Sequence, residues 1–237
     1  MSVFLERNIE WIFHTTPLHY IPSVMHESML RSKPSLKSVG FTDSHFRSMS
    51  KKQDVERGFG NYVHLTTNPY PPILNAKLSG GFPHCSIKIP TTSVDDEELD
   101  FCRYNVAMSR YLNRPGGTPL KESDSNGRFY DGKQIPVARL KADKRAMLSA
   151  HFPNKTIEIL KSGQLHLDES AKVVAYSQAD AELIERIKEK KNCPWEVLID
   201  DLKYQPDPEH WCEVNSYVET VLENPDWRGN ELEFDRL

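Results

Sequence analysis

No apolar run in the 237 residues approaches the roughly 18 that a membrane-crossing helix requires. The first seven residues are charged almost at once and hold no apolar stretch of signal-peptide length, so the expected location is cytoplasmic. Cysteine is scarce: four residues, at 85, 102, 193 and 212, form no Cys-x-x-Cys pair and have no histidine at a familiar zinc spacing. They read as reduced structural thiols, with no metal implied. Also missing are Gly-x-x-x-x-Gly-Lys, His-Glu-x-x-His and Gly-x-Ser-x-Gly. Gly58-Phe59-Gly60 lacks the third glycine and the preceding strand of a dinucleotide fingerprint. P-loop, zinc-helix and serine-elbow chemistries are thereby set aside.

The composition is that of an ordinary globular chain, with 38% hydrophobic and 27% charged residues. Its length suits one catalytic core with a small appendage. A net charge of -4 hides an asymmetry: residues 191–237 hold 4 Lys/Arg against 12 Asp/Glu, a net of -8. Residues 1–190 hold 26 against 22, a net of +4, which suits a body that meets a phosphate backbone. The expected division is a catalytic domain over 1–190 and an acidic helical C-terminal extension over 191–237.

Periodicity predicts a first strand at Ile9–Phe13, ended by His14-Thr15-Thr16-Pro17. A helix follows, opened by Pro22, with Ile21, Val24, Met25 and Met29 on one face. Residues 31–60 read as a long polar surface segment. Strands are expected at 62–66, 85–89, 156–160 and 172–176. Prolines 69, 71 and 72 interrupt the first of these, and Ser162-Gly163 turns the chain after the third. Helices are expected over Asp95–Leu112 and Lys141–Ala150, with loop over 114–135. Another begins at a Ser177/Asp180 capping box, and a last one at Asp207-Pro208 presents Trp211, Val214, Val218, Val221 and Leu222 on one face. Strands and helices mix without regular alternation, which favours an α+β fold.

Three stretches resemble the DarT-like nucleic-acid ADP-ribosyltransferases. Phe13-His14-Thr15-Thr16, followed by Tyr20-Ile21-Pro22-Ser23-Val24-Met25, is similar to that family's opening His-x-Thr element and its Asn-Leu-Pro-Ser-Ile-Leu helix. Residues 62–74, Tyr-Val-His-Leu-Thr-Thr-Asn-Pro-Tyr-Pro-Pro-Ile-Leu, resemble its Tyr-Val-Pro-Phe-Tyr-Phe-Asn-Pro-Arg-Ser-Pro-Met-Leu strand and loop. Ile157-Glu158-Ile159-Leu160 is similar to its glutamate-bearing strand. The resemblance spans residues 11 to about 190.

What it implies is a split two-sheet β core with flanking helices, NAD as co-substrate, and transfer of ADP-ribose, a glycosyltransferase-class reaction, to a base in single-stranded DNA or RNA. It also implies a toxin of toxin–antitoxin or phage-defence systems, held by an antitoxin or chaperone partner. Cleaving the nicotinamide bond builds oxocarbenium-like charge on the ribose, and Glu158 is the expected carboxylate beside it. His14, Thr15 and Thr16 are expected to bind NAD. Arg47, with Arg57 as fallback, is expected on the diphosphate, because its fork matches phosphate oxygens. Thr66 and Thr67 replace a Tyr-Phe pair, so Tyr62 or Tyr70 would supply the missing aromatic surface.

Two other readings compete. One is a non-enzymatic nucleic-acid-binding module on a decayed transferase fold. The other is a protein-directed transferase, disfavoured because Thr156 stands where arginine-modifying relatives tend to carry Glu or Gln.

Overall fold

A computed structural model describes residues 2–38, 60–102, 158–200 and 204–224. Strand β1 (Trp11–Pro17) leads through a 3-10 turn into α1 (Ile21–Glu27). Next come β2 (Met29–Arg31), α2 (Lys33–Ser38), β3 (Tyr62–Thr66), α3 (Pro72–Ser79) and β4 (His84–Pro90). The rest are β5 (Leu99–Cys102), β6 (Glu158–Ser162), β7 (Gln164–His166), β8 (Lys172–Ala175), α4 (Gln178–Lys191), β9 (Glu196–Ile199) and α5 (Pro208–Glu223).

The main sheet has the order β5-β6-β3-β1-β4-β8-β9, and β2 pairs with β7 in a second, smaller sheet. All main-sheet neighbours are antiparallel except β8 and β9. The ladder is uneven. β1 and β4 share seven registered pairs, from Trp11↔Pro90 to Pro17↔His84, whereas β1 and β3 share one, Phe13↔Thr66. The sheet therefore divides at the β1–β3 seam into a β5-β6-β3 half and a β1-β4-β8-β9 half, giving the α+β architecture with a split core and flanking helices.

Alternation assigns the faces. Ile12, Ile87, Val173, Val63, Leu65, Ile159 and Phe101 all face one side, where they are buried in one cluster with Ile21, Val24, Leu183, Ile184, Val214 and Val218 of the helices. On the opposite face α3 covers one end, packing Leu74 and Leu78 on Val174 and Tyr176.

Several elements differ from expectation. β1 does not stop at Phe13: His14, Thr15 and Thr16 continue the ladder opposite Ile87, Ser86 and Cys85, since β-branched threonines suit a paired central strand. Met29 does not extend α1; Ser28 takes a left-handed conformation that ends the helix, and Met29 opens β2. Lys33–Ser38 is helical where only surface segment was expected. The acids at 96–98 start a 3-10 turn, capped by Asp95, and not a long helix. Leu99 and Phe101 then alternate inward as β5 on β6, a long-range pairing that outcompetes local helical spacing. Residues 103–112, the 114–135 loop and the helix expected over 141–150 lie outside the described residues.

Both expected helix starts are present. Ser177 accepts from the Asp180 amide at 3.1 Å, and Asp207 accepts from the Glu209 and His210 amides at 3.0 and 3.2 Å. The acidic C-terminal stretch supplies a strand as well as a helix: β9 joins the sheet beside β8, Trp195 is fully buried, and α5 shares the main core.

Candidate active site

The seam positions the predicted residues. β6 begins at Glu158, which pairs with Thr66 of β3, which in turn pairs with Phe13 of β1. Glu158 is buried at 6% exposure, and its Oε1 accepts a 2.7 Å hydrogen bond from Nδ1 of His64. An ionised carboxylate only accepts, so the proton of this bond sits on the imidazole.

By alternation His14 would face the helical core, away from Glu158. Its Nδ1–H nevertheless reaches across the seam and donates to the His64 backbone carbonyl of β3 at 2.8 Å. Burial pulls the His14 imidazole down to about 4, against the opposing effect of that carbonyl and with a smaller contribution from the neighbouring His64. A neutral ring whose Nδ1 donates presents Nε2 as a lone-pair acceptor. Residue 64 thus joins the two predicted site residues: its carbonyl holds His14 and its side chain holds Glu158.

The remaining expectations separate. Thr15 shares the Glu158 face by register, and its hydroxyl is buried without a hydrogen bond among the described residues. Thr16 is buried on the helical-core side, beside Cys85, whose thiol donates to the Thr16 carbonyl at 3.8 Å. Tyr62 lies opposite Ser162, four residues along β6 from Glu158 and so about 14 Å away at the usual strand rise. Tyr70 is tethered by its hydroxyl to Asp200, beyond β9 and at the far side of the sheet from β6. That bond, more than burial, raises the phenol to about 12. Arg47 and Arg57 lie outside the described residues, so neither is placed.

His64 escaped the sequence reading. The signal was there: a titratable residue at an alternate position of an otherwise β-type strand, where the resembled pattern has proline. What was invisible was its partner, 94 positions away.

The site thus brings a buried carboxylate and an acceptor imidazole to the two sides of a seam between half-sheets. Comparison with solved structures bears the fold out. The chain resembles Thermus sp. 2.9 DarT in complex with ADP-ribosylated ssDNA, at a TM-score of 0.52 and 16% identity, over 83% of this chain and 97% of that one. It also resembles Thermosipho africanus DarTG in complex with ADP-ribose, at 0.50 and 12%, over 85% of this chain and 51% of that one. The same Thermus DarT in complex with NAD+ aligns at 0.49 and 14% over 83% of this chain and 98% of that one. The fold is DarT-like. No protein-family model matches the sequence, and no curated protein matches it.

Proposed function

We propose that this protein is a NAD-dependent mono-ADP-ribosyltransferase acting on a base in single-stranded nucleic acid. The observation that carries this reading is Glu158, buried at the seam and held by His64, in a fold shared with a DarT bound to ADP-ribosylated ssDNA. In this mechanism the bond from ribose C1′ to nicotinamide breaks, and its electron pair leaves with the nicotinamide ring. The Glu158 carboxylate stabilises the positive charge on the sugar. A ring or exocyclic nitrogen of the acceptor base then bonds to C1′, and Glu158 takes the displaced proton. His14 Nε2 accepts from a ribose hydroxyl of NAD, Thr15 lines the same face, and Arg47 steadies the diphosphate. Single strands are the natural target, because extruding a base from a duplex costs a few kcal/mol.

A basic and aromatic strip supports a nucleic-acid acceptor. Lys88 and Lys172 lie on the Glu158 face by register, with their ammonium groups 4.3 and 5.7 Å from the Trp11 ring centroid. We extend the resemblance to a cytoplasmic toxin restrained by an antitoxin or chaperone partner. The decisive experiment incubates protein, NAD and defined DNA and RNA oligonucleotides, then seeks ADP-ribose adducts by intact mass. Adducts that persist undiminished with Glu158→Ala overturn the catalytic assignment. A chain that binds oligonucleotide but shows no heat of NAD binding is the non-enzymatic module instead.

A further inference from the structure

We infer that His64 is a positioning residue for Glu158, one that this chain has built where the resembled family pattern carries proline. The inference rests on the transferase reading. A glutamate at the first residue of β6 has a long side chain with several rotamers, and beside a reacting ribose only one of them is useful. Here Nδ1 of His64 donates to Oε1 at 2.7 Å and fixes the carboxylate plane. The imidazole is itself well placed to do so. The pairs Thr66↔Glu158 and His64↔Leu160 put His64 on the same face as Glu158, one alternation step along. The His64 backbone is pinned from the other side by the His14 ring at 2.8 Å. A proline at 64 has no side-chain donor, so it leaves the carboxylate to be oriented by other means. His64 therefore couples the residue that grips NAD to the residue that acts on it, with one amino acid as the only covalent unit between the two bonds.

Three substitutions test this. Asn at 64 places an amide donor where Nδ1 stood, Gln places its amide near the former Nε2, and Leu removes the donor while keeping bulk. Steady-state NAD consumption should show His64→Leu lowering kcat on the order of ten- to a hundredfold, the usual worth of a hydrogen bond to a charged group, while KM for NAD stays within about twofold. His64→Asn should recover most of kcat, and His64→Gln less. An Asn variant no better than Gln, or a Leu variant with full kcat, overturns the inference. If the Leu variant does not fold, the Asn and Gln pair decides.

A second readout needs no turnover. Long-range 1H–15N spectra of the imidazoles should show a proton on Nδ1 of His64 in the wild type, and its loss to the other tautomer in Glu158→Leu. A bare Nδ1 in the wild type overturns the inference. A wild type with the expected tautomer that consumes no NAD refutes the transferase reading and leaves the contact standing.

Discussion

Glu158 and Lys88 stand in one registered row of the sheet, three strands apart. The row runs Glu158, Thr66, Phe13, Lys88, Lys172, Glu196, each paired with the next, so all six side chains share a face. At the usual strand spacing, Lys88 lies about 14 Å from Glu158 and Lys172 about 19 Å. That is the reach of a few nucleotides from a modified base. The double substitution Lys88→Ala/Lys172→Ala should weaken single-strand binding and reduce the slope of log affinity against log salt by roughly 1–2. An unchanged salt slope in a filter-binding titration would remove these lysines from the nucleic-acid path.

Glu158→Gln keeps the shape of the side chain and loses its charge. Because the amide cannot stabilise an oxocarbenium-like ribose or take the acceptor's proton, transfer should fall by about a hundred- to a thousandfold. The fold should persist, as judged by thermal unfolding. Transfer within tenfold of wild type, measured by adduct mass, would transfer the chemistry to another group.

The His14 contact with NAD should be insensitive to pH over the neutral range. Burial leaves the ring neutral down to about 4, so Nε2 remains an acceptor throughout. Calorimetry from pH 5.5 to 8 should show no loss of NAD affinity at His14, and His14→Ala should cost about tenfold at every pH in that range. A wild-type advantage that vanishes between pH 7 and 6 would contradict the buried-acceptor picture.

Fold stability should decline on mild acidification. His14 and His84 both titrate near 4 in the folded chain against 6.5 in the unfolded one, with burial as the leading cause in each. Between those values the unfolded chain binds more protons, so stability is lost as pH falls through the window. Asp180 opposes this, since burial raises its carboxyl from 3.8 to about 6 and the folded chain holds that proton. Two sites against one leave a net loss. Tm should drop steadily from pH 6.5 to 4, and less steeply in His84→Gln. A flat or rising Tm would refute the balance.

Two glycines make a controlled pair. Gly81 has φ +76, and an added Cβ would come 2.6 Å from Asp207 Cβ; Gly163 has φ +73 with nothing within 4 Å. Gly163→Ala should cost only the backbone strain, about 1 kcal/mol. Gly81→Ala should cost that and also displace the N-cap of α5, whose Asp207 amide donates to the Gly81 carbonyl at 3.0 Å. Equal denaturant midpoints for the two variants would show that this junction yields freely.

Much of the fold could be read from local chemistry. The starts of α4 and α5 follow from Ser177 and Asp207, whose side chains satisfy amides within the next three residues. Strand β4 was visible because its pattern ends at a proline, and β3 because its pattern is confined to five residues before the Asn68-Pro69 break. What failed depends on partners distant in sequence. Leu99–Cys102 is a strand because β6 lies beside it, with Cys102 paired to Glu158 and Leu99 to Lys161, more than fifty positions away, and no window of neighbouring residues carries that information. Residues 72–79 form α3 although their apolar positions make no clear stripe; Pro72 starts it and two leucines anchor it.

The site followed the same rule. Glu158 and His14 could be singled out from the sequence as candidates, but only the seam and His64 show how they lie relative to each other. Tyr70 offers an aromatic ring in the sequence, but its hydroxyl is bonded to Asp200, a partner that spacing does not reveal.

Among the described residues one registered pair, Phe13 with Thr66, joins the two plates of the sheet, with the His14–His64 hydrogen bond beside it. The ladder is the spine of a book bound by few threads, while the shared helical core is the cover that holds both leaves. His14 stands on one leaf and Glu158 on the other, with His64 hydrogen-bonded to both. Under the proposed function NAD touches both leaves, which makes occupancy and the alignment of Glu158 one variable.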